Sequence, residues 1–391
     1  MREAGSGGGV DVVRRVDDRL LADLLADAVD AYSPTHAEDP ATRVFAAALQ
    51  RARVPYWLAP VPSRVAGGAR ANIVVELGPS PPDLLWVGHV DTVPLPDEGA
   101  GTPGPRWDGD VLYGLGAADM KSGCAAAVAA AAALVASGAT LSRGLAIALV
   151  VGEEEYGDGS VALLEHVRAP LVVVGEPTGL VPCLDHYGYE EFLLSSEGSG
   201  AHAALPERGA NAIQAMLRWL AGVLDRLGSL PAAEAAAINL RHIGGGGETF
   251  VVPERCRATL DVHLPPGLDP ARVGELVGAA RADVLAVAGP GRLRLEYERA
   301  FHASAFACDP GDPLLAPVRR GFEAAGVEWA PGAFRSHSDA SLFREAGALT
   351  FVCGPGRLEN AHTPGEHVSF AEVARAARLY AAMFHEACGR C

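Results

Sequence analysis

Positive charge is scarce in this chain: Lys and Arg total 32 against 48 Asp and Glu, a formal net charge of −16. Such an excess repels phosphate backbones and anionic lipid, and no clustered Lys/Arg face offsets it, so neither nucleic acid nor a membrane is an expected partner. Long apolar runs are missing as well. The stretch from Leu163 to Val174 is broken by His166, Arg168 and Pro170, short of the ~18 residues that a membrane helix needs. The opening MREAGSGGGVDVVRRVDD has no apolar core behind its positive charge. It reads as a flexible tail over residues 1–16 rather than a secretory leader, and a cytoplasmic protein is expected. Seven cysteines are too few, and odd in number, for a secreted disulfide framework, so reduced thiols are expected. Cys388 and Cys391 form a lone Cys-x-x-Cys without a second pair at zinc-ribbon spacing and without the aliphatic pair of a prenylation signal, so a frayed end is expected there.

What the chain does have is apolar material in short pieces. Hydrophobic residues make up 49% of 391, enough for a large core and more chain than one domain usually holds, so two domains are expected. Helical spacing marks Leu20 to Ala28 and Pro40 to Arg53. Apolar runs that read as buried strands then follow at Asn72–Leu77, Leu84–Gly88, Leu145–Val151 and Leu171–Val174, with a helix predicted over Lys121–Ala136. This alternation predicts an α/β domain with a mostly parallel sheet and helices on both faces. Near residue 188 the pattern changes to four strand-like runs and two helical ones: Tyr189–Ser196, Ala210–Leu227, Ala236–Ile243, Arg257–Leu264, Pro270–Ala286 and Leu293–Glu298. That is a ferredoxin-like α+β count. From about residue 302 helix and strand alternate again, through Phe351 to a final helix Phe370–Ala387. The predicted arrangement is a larger domain over 17–188 and 301–391, interrupted by a smaller one over 189–300.

Acidic and imidazole residues cluster where the apolar runs stop. The first cluster is Gly-His89-Val-Asp91-Thr-Val-Pro94, at the end of a strand, where ligands of open α/β sheets sit. Period-two alternation puts His89 and Asp91 on one face, so Asp91 can orient a metal-bound imidazole; a loop imidazole beside a turn-forming Asp is the plainer alternative. Asp119, in Gly-x-Gly-x-x-Asp-Met-Lys before an Ala-rich helix, suits either a helix cap or a carboxylate bridging two metal ions ~3.5–4 Å apart. Three consecutive carboxylates, Glu153, Glu154 and Glu155, end another buried strand and repel one another unless cations or solvent compensate. Gly-Glu176-Pro-Thr repeats that placement, and Ala-His362-Thr-Pro-Gly-Glu366 precedes the last helix. Ser336, His337 and Asp339 invite a serine-triad reading, but residues so close in sequence seldom converge on one geometry, and no Gly-x-Ser-x-Gly elbow is present. Taken together, the strand-end residues match the His plus Asp/Glu set that holds catalytic zinc.

In order and spacing over nearly the whole chain, these motifs resemble the metallohydrolase family that includes aminoacylase, acetylornithine deacetylase, succinyl-diaminopimelate desuccinylase and a bacterial glutamate carboxypeptidase. The resemblance implies two Zn²⁺ per chain, with Co²⁺ or Mn²⁺ as alternatives. His89 and Glu176 would hold one ion, Glu155 and His362 the other, and Asp119 both. It also implies Glu154 as general base and Asp91 as the residue orienting His89. Glu153 precedes that pair, so a one-residue slip of the frame is open; Gly157, two residues after Glu155, favours Glu154–Glu155. Gly200-Ala-His202-Ala-Ala-Leu-Pro206 with Gly209-Ala-Asn211-Ala-Ile213 is similar to the family segment whose His stabilises the oxyanion, commonly from the neighbouring subunit. The smaller domain would then be a lid and the dimerisation surface of a homodimer.

Two departures touch the substrate. Phe250-Val-Val-Pro stands where relatives often carry Asn-Val-Val-Pro, and Asp261-Val-His263 where they often carry Asp-x-Arg, so the usual readers of a substrate carboxylate are replaced. Asn211, His263 and Arg335 are candidate substrate contacts, with Arg208 a further possible substitute. The expected activity is hydrolysis of the amide bond of a small N-acyl amino acid, acetylornithine-like, by a metal-activated water. A dipeptidase or carboxypeptidase on the same site is the nearest alternative, and a non-catalytic binding homologue a remote one.

Overall fold

A computed structural model describes residues 7–63, 70–95, 104–247 and 250–389. Cys391 lies outside the described residues, as do residues 1–6 of the expected tail; Cys388, expected in a frayed end, is instead buried in the last turn of helix Phe370–Cys388. The chain forms two compact units. One comprises Met1–Leu184, Cys308–Phe334 and Ser338–Cys391, the other Asp185–Ala307 and Arg335–His337.

The larger unit is built on a mixed sheet whose strands lie in the order Trp57–Val61, Arg70–Leu77, Gly144–Val150, Pro82–His89, Leu171–Pro177, Leu349–Gly354 and Cys183–His186. The four strands from Gly144–Val150 to Leu349–Gly354 run parallel, and the strands flanking them pair antiparallel. Three of the four, Gly144–Val150, Leu171–Pro177 and Leu349–Gly354, are buried at every residue. That burial is why they read in the sequence as unbroken apolar runs rather than alternating ones. Helices Ser122–Ser137 and Phe370–Cys388 pack on each other and on the central strands, with Trp86 edge-on to Tyr380 at 5.4 Å.

The small residues of the Ala-rich helix permit a close approach. A Cβ on Gly123 would fall 2.6 Å from the Gly175 carbonyl, so the helix start is seated directly on the strand that ends at Glu176. Ala117–Ser137 is, contrary to the expectation from apolar run length, long and apolar enough to cross a membrane; 78% of its 18-residue apolar window is buried inside the protein, which makes it a core helix.

The flexible tail expected over 1–16 is corrected in part. Gly7–Arg14 forms a helix against Phe370–Cys388; Val12 and Val16 are buried, and Arg15 Nη1 donates to the Ala136 carbonyl at 3.3 Å. The glycine content suggested a loose end, and the two valines, spaced for burial on one side of a helix and its exit, outweigh it.

The smaller unit has a four-stranded antiparallel sheet in the order Ala237–Gly245, Arg255–Leu264, Gly188–Glu197, Arg294–Ala303. With helices Ala212–Gly228 and Pro270–Ala288 between strands, this is the ferredoxin-like connection. Phe192, Leu194, Leu260 and Val262 from the sheet close a core with Trp219, Val223 and Val277 from the helices, and the Trp219 indole N–H donates to the Val277 carbonyl at 3.0 Å.

Away from that core, the same unit collects imidazoles. His337 stacks on Tyr189, with ring centroids 4.8 Å apart, and His186 stacks on Phe306 at 4.8 Å. Burial, with His263 adding, pushes His337 down to about 4; burial, with His337 adding, pushes His186 down to about 3. Above the ordinary value of 6.5 both states of the protein hold these rings neutral and they contribute no pH dependence. Below it the unfolded chain takes up protons that the folded one refuses, so stability falls as pH drops from 6.5 toward 4. Urea midpoints measured across that window are expected to fall less steeply in His337→Phe, which keeps a ring on Tyr189; identical slopes in the two proteins contradict the assignment.

Candidate metal centre

Three neighbouring parallel strands each deliver acid or imidazole at the same end. Gly144–Val150 leads into Glu153 and Glu154, Pro82–His89 ends in His89, and Leu171–Pro177 carries Glu176. Parallel strands align their C-terminal ends, so residues far apart in sequence meet in one place. His362 follows the next strand over, Leu349–Gly354, and has a left-handed backbone with φ +56°.

Asp119 lies at the centre of the cluster. One carboxylate oxygen is 3.1 Å from His89 Nε2 and the other 3.3 Å from His362 Nε2, the arrangement of a bridging carboxylate. Glu176 Oε1 is 3.8 Å and Glu153 Oε2 4.0 Å from His89 Nε2. Glu154 Oε2 is 3.1 Å from His362 Nε2. Ligand atoms of His89, Asp119 and Glu154 all lie within 4.8 Å of one another.

The triple-glutamate frame therefore needs correcting. Glu154, expected as the proton carrier, stands beside Asp119 and His362, with an oxygen 3.1 Å from His362 Nε2. Glu155, expected as a ligand, points elsewhere: its carboxylate is 42% exposed and pairs with His36 Nε2 at 3.4 Å. Glu153, left outside the pair, is the carboxylate turned toward His89 and Glu176. The cause is the turn after the buried strand. The Asp91 carboxylate accepts the N–H groups of Gly152, Glu153 and Glu154 at 3.0, 3.3 and 3.1 Å, which draws these residues into the site before the chain leaves through exposed Tyr156. Gly157, used to fix the frame, instead begins the next helix with φ +60°.

Asp91 thus does more than orient His89. His89 Nδ1 lies 3.0 Å from the Asp91 backbone carbonyl and 3.6 Å from the Asp91 carboxylate, which turns Nε2 toward the other carboxylates. The Thr35 hydroxyl donates to Asp91 Oδ2 at 2.9 Å. Glu366, part of a recognised motif but given no role from sequence, proves to hold the bridging loop. Its buried carboxylate accepts the N–H groups of Gly116, Ala118 and Asp119 at 2.9, 2.9 and 3.0 Å. Lys121, the one lysine of the chain, is buried, donates to the Ala31 carbonyl at 2.8 Å, and is pushed by burial down to about 8.

The electrostatics of this pocket call for cations. Burial pushes Glu153, Glu154 and Glu176 above the ordinary carboxyl range, and the neighbouring carboxylates push the same way. Hydrogen bonds to Asp119 and Glu154 raise His362 to about 11, and His89 also stands well above its usual value, with burial opposing and Asp119 and Asp91 raising. Four carboxylates around two imidazoles hold such a charge only with protons or metal ions between them, and a nitrogen and oxygen donor set of this kind fits divalent zinc, cobalt or manganese.

The remaining candidates belong to the smaller unit. His202 is exposed in an antiparallel bridge with Val251, its Nδ1 accepting from the Ala204 N–H at 3.1 Å. Asn211, a candidate substrate contact, caps helix Ala212–Gly228: its side-chain oxygen accepts the Gln214 N–H at 3.0 Å, a structural task. His263 lies 5.1 Å from the Tyr189 ring, and the Arg335 guanidinium is 6.0 Å above Tyr187. Phe250 is 86% exposed. The residues of the discarded serine triad are divided by the fold: His337 stacks in the smaller unit, and Asp339, in the larger one, accepts the Ser160 hydroxyl at 2.5 Å.

Comparison with known proteins identifies the family of the chain. Residues 85–386 match the family model described as peptidase family M20/M25/M40. Acetylornithine deacetylase of Proteus mirabilis (strain HI4320) is 30% identical over 335 residues, 81% of this chain and 82% of that protein. The enzyme of the same name from Edwardsiella ictaluri (strain 93-146) is 29% identical over 336 residues, 82% and 84% of the two chains. Among solved structures, a tripeptidase from Staphylococcus aureus subsp. aureus Mu50 superposes with a TM-score of 0.77 at 18% identity, covering 95% of this chain and 99% of that one.

Proposed function

Because the chain belongs to peptidase family M20/M25/M40, and is therefore a metal-dependent hydrolase, we propose that it cleaves the amide bond of a small N-acyl amino acid, as an acetylornithine deacetylase-like deacylase. The observation that carries the reading is Asp119, whose two oxygens face two imidazoles from separate parts of the chain. In this proposal His89 and Glu176 hold one ion, Glu154 and His362 a second, and Asp119 both, with zinc as the metal and cobalt or manganese able to replace it. When bound, the ions polarise the scissile carbonyl and make water acidic enough to ionise near neutral pH.

The rest is done by the chain itself. Glu153 reaches toward the cluster without an oxygen on His362, and it takes the proton from the attacking water and returns it to the departing amine. Asp91 and Glu366 hold the two ligand-bearing loops through backbone N–H groups, so the donor atoms need not reorganise as the carbonyl becomes tetrahedral. His202 as oxyanion donor, the smaller unit as lid, a homodimer joined through that unit and work in the cytoplasm complete the proposal; these rest on the family resemblance and on the sequence character alone.

The deciding experiment is release of free amine from a panel of Nα-acyl amino acids, including Nα-acetylornithine, beside dipeptides and tripeptides. The acyl amino acids are expected to show the highest kcat/KM. Turnover of peptides with none of the acyl amino acids would make this enzyme a peptidase on the same metal site.

A further inference from the structure

Beneath the ligand cluster the larger unit buries a second charged group that no step of the proposed reaction uses. Arg70, whose side chain is 1% exposed, opens the strand Arg70–Leu77. Its Nε lies 3.1 Å from both oxygens of Glu38 and its Nη2 2.6 Å from one of them, while Nη1 and Nη2 reach the carboxylate of Asp158 at 2.6 and 3.1 Å. Sinking such charges is costly, and ion pairs of this kind are a poor route to stability alone. Two residues on, and so on the same strand face, Asn72 is fully buried. Its amide donates to the Gly159 carbonyl at 2.8 Å, and its oxygen accepts the Val151 N–H at 3.1 Å.

Val151 and Gly159 are the two ends of the excursion that carries Glu153 and Glu154, so Asn72 staples that excursion shut at its base. Arg70 grips it one residue inside, at Asp158. Gly152 rests directly on this grip: a Cβ there would fall 2.0 Å from Asp158 Oδ1 and 2.5 Å from Arg70 Nη2. Glu38 on the far side accepts the His36 N–H at 3.0 Å, one residue after Thr35, which donates to Asp91.

We infer that Asn72 and Arg70 are positioning residues which set where Glu153 and Glu154 stand, acting through the base of the Val151–Gly159 excursion. The inference rests on the reading of Glu154 as a metal ligand and Glu153 as the proton carrier. The test is titration of chelated protein with zinc ion alone, followed by calorimetry, beside steady-state kinetics. Asn72→Ala is expected to weaken zinc binding by roughly 10–100-fold and to lower kcat by a similar factor with KM little changed. In a Glu154→Gln background the same change is expected to cost almost no further zinc affinity, because the ligand that it places is already gone.

Wild-type zinc affinity and kcat in Asn72→Ala, or full additivity with Glu154→Gln, would make Asn72 merely structural and overturn the inference. If Asn72→Ala does not fold, Arg70→Lys, which keeps the buried charge but not the fork, carries the test: weaker zinc binding supports the inference, and unchanged binding and kcat overturn it. Failure of the wild-type protein to bind zinc would instead overturn the underlying reading of the site.

Discussion

Glu153→Gln is expected to lower kcat by roughly 10²–10⁴-fold while zinc remains bound, the size of effect that loss of a general base produces. Glu155→Gln should leave both kcat and zinc content close to wild type. The contrast follows from three adjacent residues with three different surroundings. Glu153 faces His89 and Glu176, Glu154 shares His362 with Asp119, and Glu155 leaves the site for His36. Gln keeps the shape and hydrogen-bonding reach of Glu but cannot take up the proton, so Glu153→Gln tests proton transfer and little else. Glu154→Gln should differ from both by losing metal along with activity, because a carboxamide is a poor replacement for an anionic ligand. Kinetics paired with metal analysis of the three variants separates the frames. A Glu155→Gln protein depleted of metal, with Glu153→Gln fully active, would restore the frame that Gly157 suggested and refute the one built here.

Which parts of this site were legible in the sequence, and which were not, has a physical explanation. His89, Asp119, Glu176 and His362 could be placed because each adjoins an apolar run or a helix start, and a parallel sheet brings the same ends of its strands together. Asp119 does lie between His89 and His362, as a residue shared by both halves of the cluster would. The frame of Glu153–Glu155 was not, because three identical side chains give no local signal about which turns inward. That choice is made by the Asp91 carboxylate, 61 to 63 residues away, through N–H groups which belong to every residue alike. Glu366 was visible as a motif residue, yet its partners are also backbone N–H groups, so no side-chain pairing announced its task. Arg70, Asn72 and Glu38 left no trace at all: a polar residue inside an apolar strand looks the same whether it faces solvent or a buried loop. The N-terminal helix is illegible in a glycine-rich sequence because the burial of Val12 and Val16 is supplied by the rest of the unit.

Removal of divalent ions by a chelator is expected to take hydrolysis to background, and added zinc, cobalt or manganese to restore it. The argument is one of charge. Asp119, Glu154, Glu176 and Glu153 crowd around His89 and His362, and without cations the pocket is held together by protons: burial raises the three glutamates, and both imidazoles stand above their usual range. A metal ion needs those same groups as carboxylates and neutral imidazoles, so loading must expel protons. Zinc titrated into chelated protein at neutral pH, in two buffers of different ionisation enthalpy, should therefore show net proton release. The loaded protein should also melt higher, by an amount that grows with free zinc, since ligation stabilises the folded state by about 4 kcal/mol at a thousandfold excess over Kd. Hydrolysis that survives exhaustive chelation would mean that these carboxylates do their work with protons alone, and the two-ion site proposed for them would have to be abandoned.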